Sequence, residues 1–376
     1  MPSERIILMY ISEVSGHHSA TLAIEGAIRR LSSKAEILNI NAFNYTNPVS
    51  EKVINRLYIG LIKKAPKIWD YLYDNPAVVR KIENIKNKIH KYNSPKLKKL
   101  FDEFRPQAVA CTQAFPCGMV ADYKKTYGSC LPLVAVLTDY IPHSYWVYKG
   151  VDHYITPSEE VSKLLAAKGV ADKRIEAFGI PFDHKFNQRA DKKEVLSSLS
   201  FDPDKKTILI MGGGQGLGPI KAMINSLDKI NKDFQMVVVT GTNKRLFAYL
   251  NRKARKYKKK TAILSRAGNI NELMDISDFI ITKPGGVTTA EALVKNLPMV
   301  IIKPIPGQEA SNTVYLTEKG AAVKIDRLEE LKPVIEGLLE DPDRLSSMRA
   351  AARASSKPNA SEDIARLLLD SCHKNV

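Results

Sequence analysis

One local pattern recurs along most of this chain: a short, continuously apolar run, a glycine-containing turn, and a helix-like segment. Arg5–Ile11, Glu36–Asn41, Ala108–Thr112 and Leu133–Leu137 carry the apolar runs of the first half, with helix-like stretches at Ser19–Leu31 and Glu159–Lys168. Strands that are apolar on both faces and alternate with helices belong in a parallel sheet covered on both sides. That restricts the chain to the α/β class. Near Gly179–Val195 ("GIPFDHKFNQRADKKEV") the pattern gives way to a polar, charged stretch, and a second series begins at Thr207, with strands near Gln235–Thr240, Ala262–Leu264, Phe279–Thr282 and Met299–Ile302. Two doubly wound domains in tandem, with a cleft between them, account for this at 376 residues. The expected boundaries are 1–183, 184–345 and a helical tail, 346–376, whose last segment, Glu362–His373, would pack back across the cleft.

The turns carry the functional signal. "MGGGQGLGPI" (211–220) follows a strand and leads into a helix. It lacks the G-x-G-x-x-G spacing of a dinucleotide fingerprint, and the next strand ends "VVVTGTN" with no carboxylate for a ribose. It lacks the Lys-Ser/Thr of an ATP phosphate loop as well. A general cradle survives, because glycines let backbone N–H groups approach phosphate oxygens ahead of a helix N-terminus. The plainer reading is a tight strand–helix turn. "ITKPGGVTTAEAL" (281–293) repeats the design: Thr288 stands near the expected helix start, and Glu291 follows on the first turn. Glu291 is placed either to accept from a vicinal diol or to complement the helix dipole. In "KPIPGQEASN" (303–312), Gln308 and Glu309 are polar groups suited to sugar hydroxyls, in a loop after a strand. Phosphate donors, a diol acceptor and a sugar reader together suit a nucleotide sugar.

The first half offers the reacting groups. "SEVSGHHSAT" (12–21) sets His17 and His18 at the end of the first strand, and position alone does not choose between them. "LTDYIPHSYWVYKGVDHY" (137–154) follows another strand and supplies Asp139, His143 and Trp146. A carboxylate beside an imidazole raises its basicity and fixes its tautomer, and loop packing is the alternative for His143 and Trp146.

These motifs resemble glycosyltransferase family 28, and within it the diacylglycerol glycosyltransferases, over nearly the whole chain. "TKPGGVTTAEAL…KPIPGQEASN…KGAA" (282–322) is the strongest segment, with "TDYIPHSYWV", "GIP" and "GGGQGLGPI" beside it. The resemblance implies a GT-B fold of two Rossmann-like domains and an inverting transfer of glucose or galactose from a UDP-sugar to diacylglycerol. It implies His17 as general base with Asp139 in support. Gly213, Gly214, Gly216 and Thr288 would lie at the donor diphosphate, Glu291 at the ribose, and Gln308 and Glu309 at the sugar. No metal or other cofactor is then required. Two "DPD" triplets, 202–204 and 341–343, read as turns rather than metal ligands. The sequence departs from the family in one place: Val14-Ser15-Gly16 stands before the histidine where many members have three glycines.

The formal charge of +17 points to a polyanionic surface. Residues 50–105 hold 14 Lys/Arg against 6 Asp/Glu, interleaved with Ile, Leu, Tyr and Trp69. Such a segment suits anionic lipid, with Trp69, His143 and Trp146 expected on the acceptor and membrane side. A second basic run, 252–260, reads as the exposed end of a helix. Four cysteines without paired spacing and the lack of a long apolar stretch fit a cytoplasmic enzyme, peripheral on the inner face of the membrane. A polyprenyl-diphosphate-linked sugar is the alternative acceptor. Nucleic acid is not expected as a partner, because no nucleic-acid-binding motif accompanies the charge.

Overall fold

A computed structural model describes residues 3–13, 15–46, 95–304 and 307–373. Trp69 and most of the basic segment 50–105 lie outside the described residues. Contacts divide the chain into two units, Met1–His184 with Ile305–Gln308 and Asn359–Val376, and Lys185–Pro304 with Glu309–Pro358.

The first unit is built on a parallel sheet of β1 (Arg5–Tyr10), β2 (Glu36–Asn41), β3 (Ala108–Cys111), β4 (Leu133–Val136), β5 (His153–Ile155) and β6 (Ile175–Glu176), in the order β2-β1-β3-β4-β5-β6. Ile7 sits opposite Leu38 on one side and Val109 on the other. The central strands β3 and β4 are buried along their whole length, as runs without alternation require. One face is covered by Ile24, Ala27 and Ile28 of the helix Gly16–Leu31 and by Ile364, Ala365, Leu368 and Cys372 of the helix Ala360–His373. The strand order reverses between β1 and β3. Open α/β sheets bind ligands at such a switch point, beyond the carboxyl ends of the strands.

The second unit has β7 (Lys206–Met211), β8 (Phe234–Val239), β9 (Thr261–Leu264), β10 (Phe279–Thr282), β11 (Met299–Ile302) and β12 (Ala322–Ile325), all parallel, in the order β12-β11-β10-β7-β8-β9. Its switch point lies between β7 and β10, and the two glycine turns follow those two strands. Ile208, Ile210, Met236, Val238, Phe279 and Ile281 form its buried centre.

The expected tail 346–376 is not one body. The helix Pro342–Ala354 belongs to the second unit and the helix Ala360–His373 to the first. Ser361 Oγ donates to the Phe182 carbonyl at 2.7 Å and accepts from the Phe182 amide at 3.0 Å, tying the last helix to the "GIPF" turn. Among the described residues, no helix is long and apolar enough to cross a membrane.

Candidate active site

The histidine turn begins with an unusual backbone. Ser12 has φ 66°, a left-handed conformation that lets the chain double back after β1. Ser15 then caps the helix Gly16–Leu31, its hydroxyl accepting from the His18 amide at 3.3 Å. The helix starts three residues earlier than the apolar periodicity suggested, so His17 and His18 belong to its first turn rather than to the strand end. This first turn also separates the two imidazoles. His18 stacks on Tyr10 with ring centroids 4.3 Å apart and holds the Glu13 carbonyl through Nδ1 at 2.9 Å. His17 turns to the switch point, where its Nδ1 lies 2.8 Å from the carbonyl oxygen of Thr112, just past β3.

That contact decides the tautomer. A carbonyl oxygen only accepts, so Nδ1 carries the proton and the lone pair of the neutral ring resides on Nε2. The Thr138 hydroxyl, 3.0 Å from Nδ1, shares the same proton. Behind the ring, Thr21 and Thr112 are 3.0 Å apart and both hydroxyls reach the His17 carbonyl at 3.0 Å. All three threonines are buried, and sequence reading missed each of them. Burial pushes the His17 pKa below the ordinary histidine value, while the Asp139 charge and the Thr112 carbonyl pull it partly back up. The result is a neutral imidazole with Asp139 close enough to favour the imidazolium when a proton arrives.

Asp139 lies two residues beyond Leu137, and its Oδ2 accepts from Gln308 Nε2 at 2.9 Å; Gln308 is grouped with the same unit. His143 and Trp146, expected on the acceptor and membrane side, are both buried. Trp146 is only 4 % exposed and His143 9 %, and their rings pack 6.0 Å apart in the loop that follows β4. Such packing matches the alternative weighed for this pair and holds both rings off an exposed surface.

In the second unit the glycines fall into two kinds. Gly216 (φ 58°) would drive a Cβ to 2.1 Å from the Thr240 carbonyl oxygen, and Gly241 (φ 58°) to 2.3 Å from that of Gly214. The Thr242 amide donates to the Gly214 carbonyl at 2.9 Å. These positions lock the loop after β7 against the loop after β8. Gly213 (φ 67°) and Gly218 (φ 103°) meet nothing within 4 Å and leave their side of the loop open. Packing therefore accounts for the glycine at 216, and an open backbone remains at 213.

After β10, Gly285 caps a helix that runs Gly286–Val294, two residues earlier than expected. Glu291 is thus its sixth residue, in the second turn, and no acidic residue occupies the first. The dipole explanation offered for Glu291 is lost with that shift, because the effect fades beyond the first turn. Thr288 is half-buried, and its neighbour Thr289 is buried with its hydroxyl on the Gly286 carbonyl at 2.7 Å. Glu309 is held by Lys283 Nζ at 2.6 Å, with both side chains mostly buried. Asn312 donates to the Pro284 carbonyl at 2.9 Å, so the helix Gln308–Glu318 is fastened to the turn after β10. Lys283 is a cation at this strand end to which sequence reading assigned no role; "TKPGG" held it in view, but its partner lies 26 residues on.

Both "DPD" triplets serve local backbone. Asp341 caps the helix Pro342–Ala354 through the Arg344 amide at 2.8 Å, and Asp202 accepts from the Asp204 amide at 3.0 Å. Among the described residues, no group of three or more His, Cys, Asp or Glu is placed to hold a metal ion.

Comparison with known proteins bears on the family and the fold. Residues 17–182 match the family model for monogalactosyldiacylglycerol (MGDG) synthase, and residues 207–365 match the glycosyltransferase family 28 C-terminal domain. The processive diacylglycerol beta-glucosyltransferases of Bacillus licheniformis and Bacillus subtilis are each 29 % identical over 365 residues, covering 96 % of this chain and 94 % of theirs. Among solved structures, Acinetobacter baumannii MurG superposes with a TM-score of 0.64 at 13 % identity, over 98 % of this chain and 99 % of that one. Anabaena Alr3699/HepE in complex with UDP-glucose gives 0.57 at 14 %, over 98 % and 99 %. At such identities these structures establish the fold, and it is the GT-B fold that the sequence suggested.

Proposed function

The chain belongs to glycosyltransferase family 28, and from that premise we propose that it transfers a hexose from a UDP-sugar to the free hydroxyl of 1,2-diacylglycerol. The observation that carries the reading is the His17 ring, fixed at the switch point by the Thr112 carbonyl with its lone pair on Nε2. The acceptor hydroxyl gives its proton to Nε2 as its oxygen attacks the anomeric carbon. The bond from that carbon to the diphosphate oxygen breaks, UDP leaves with the electron pair, and the configuration inverts. Asp139 stabilises the imidazolium until the proton passes to solvent. General-base assistance of this kind is worth about 10²–10⁴-fold.

The donor is assigned to the second unit. Gly213 and Gly214 offer backbone N–H groups to the diphosphate, with Thr288 on the neighbouring helix and Lys283 as a cation for the leaving charge. Glu291 is assigned to the ribose diol, and Gln308 and Glu309 to the sugar. The charge on the leaving group is met by these groups, so turnover is expected to continue in EDTA. Glucose is the favoured hexose, because the Bacillus relatives are named beta-glucosyltransferases. The acceptor being a lipid and the chain strongly basic, we assign its working site to the anionic inner face of the cell membrane.

The test is transfer into the lipid phase. The protein is mixed with diacylglycerol in anionic vesicles and with labelled UDP-glucose or UDP-galactose. Label in an alkali-labile glycolipid from UDP-glucose is the expected outcome. A folded, UDP-binding protein that labels no lipid from either donor overturns the diacylglycerol reading and directs the search to polyprenyl-linked acceptors.

A further inference from the structure

The second unit contains a cavity of about 560 Å³ that the reaction above does not use. Lys206, Thr207 and Asp278 line it, so it opens at the amino ends of β7 and β10. The donor loops lie at the carboxyl ends. Six residues of β7 separate the two places, roughly 20 Å at about 3.3 Å per residue. A donor in its expected position does not reach this cavity.

Its lining is unbalanced in charge. Asp275 is flanked by two cations: Lys295 Nζ at 2.6 Å and Arg189 Nη1 at 2.9 Å. Asp278 is flanked by two more, Lys206 Nζ at 3.0 Å and Arg349 Nη2 at 3.1 Å. Lys192 adds further positive charge at the wall; Lys205, also in the lining, is neutralised by Asp233 Oδ2 at 3.0 Å, and Asp204 is the remaining carboxylate of the lining. Each buried or half-buried carboxylate needs one counter-charge and has two. Lys295 is fully buried, and its pKa is lowered by burial, with the repulsion of Arg189 adding to it. A concave surface lined by surplus charge of one sign focuses field on ions of the other.

We propose that this cavity is a second anion site, taking a small phosphate-bearing ligand with at least two negative charges, one for each cation pair in surplus. Arg349, Lys206 and Arg189 supply the accessible donors, being 41 %, 47 % and 54 % exposed, while Lys295 supplies the deeper positive field. The same chemistry is offered by a soluble diphosphate or by a phospholipid headgroup. The site is independent of the proposed reaction.

Calorimetric titration of the full chain with sodium pyrophosphate tests it, with and without saturating UDP. Binding that persists in UDP and weakens at least tenfold in Lys206→Gln/Arg349→Gln, with UDP affinity unchanged, is expected. Lys206→Gln alone, which leaves Arg349 on Asp278, is expected to lose a smaller part and serves if the double variant melts early. Displacement of pyrophosphate by UDP, equal affinity in the folded variants, or no binding at millimolar pyrophosphate overturns the proposal. A parallel arm uses phosphatidylglycerol vesicles. Vesicle association that falls in the same variants assigns the site to a headgroup, and association that is unchanged while pyrophosphate binding is lost assigns it to a soluble ligand.

Discussion

His17 owes its orientation to a backbone carbonyl and a hydroxyl, with the carboxylate acting through its field. Replacing His17 by alanine is expected to lower kcat by about 10²–10⁴-fold with UDP affinity nearly intact; loss of the thermal transition instead would make the residue structural. The pH profile has a definite sign. As the proposed base His17 works neutral, so kcat/KM is expected to fall on the acid side through its pKa, which burial holds below the ordinary 6.5. Asp139→Asn removes the charge that raises that pKa. The acid limb is expected to move to lower pH while the plateau rate drops, and an unmoved limb would detach Asp139 from His17. The histidine itself was legible, since a turn after an apolar strand is a local pattern. Its partners were not: Thr112 and Thr138 lie 95 and 121 residues away, and buried threonines after strands look like any others. Geometry, too, singled out His17 over His18, through a ring that stacks on Tyr10 and one that does not.

At the scale of elements, the loop after β7 divides into glycines that pack and glycines that face open space. Gly216→Ala sets a methyl group against the Thr240 carbonyl in a left-handed backbone, and a loss of more than about 1 kcal/mol is expected, read as a lower Tm. Gly213→Ala bears only the left-handed strain, about 1–2 kcal/mol, and adds a methyl on the open side. It is expected to weaken UDP affinity more than Gly216→Ala does; the reverse order would move the diphosphate away from residue 213. The long central strands were readable because burial on both faces leaves an unbroken apolar run. Strands β5 and β6, of three and two residues, carry too short a run to stand out, and "DHYI" mixes charge into it. Helix starts were misread by two or three residues at Gly16 and Gly286, because a glycine was taken for the turn when it begins or precedes the helix. That small shift changed the meaning of Glu291.

At the scale of the whole molecule, the last described helix belongs to the first unit. A chain ending at Pro358 loses Ile364 and Leu368 from the core beneath β1, β3 and β4, at about 1.5–3 kcal/mol each. Against the 5–15 kcal/mol typical of a domain, that is expected to abolish the cooperative melting of the first unit and to leave the second unit's transition in place. Retention of both transitions would show the helix to be dispensable. A temporal consequence follows from this arrangement. The ribosome delivers β1 before any of the second unit, yet part of the apolar cover for that strand is encoded after the second unit. The second unit has its whole sequence available before the first can close its core. The unit that carries His17 is thus begun before the second unit and completed after it, and a chain terminated at Pro358 would hold a complete second unit beside a first unit that lacks its cover.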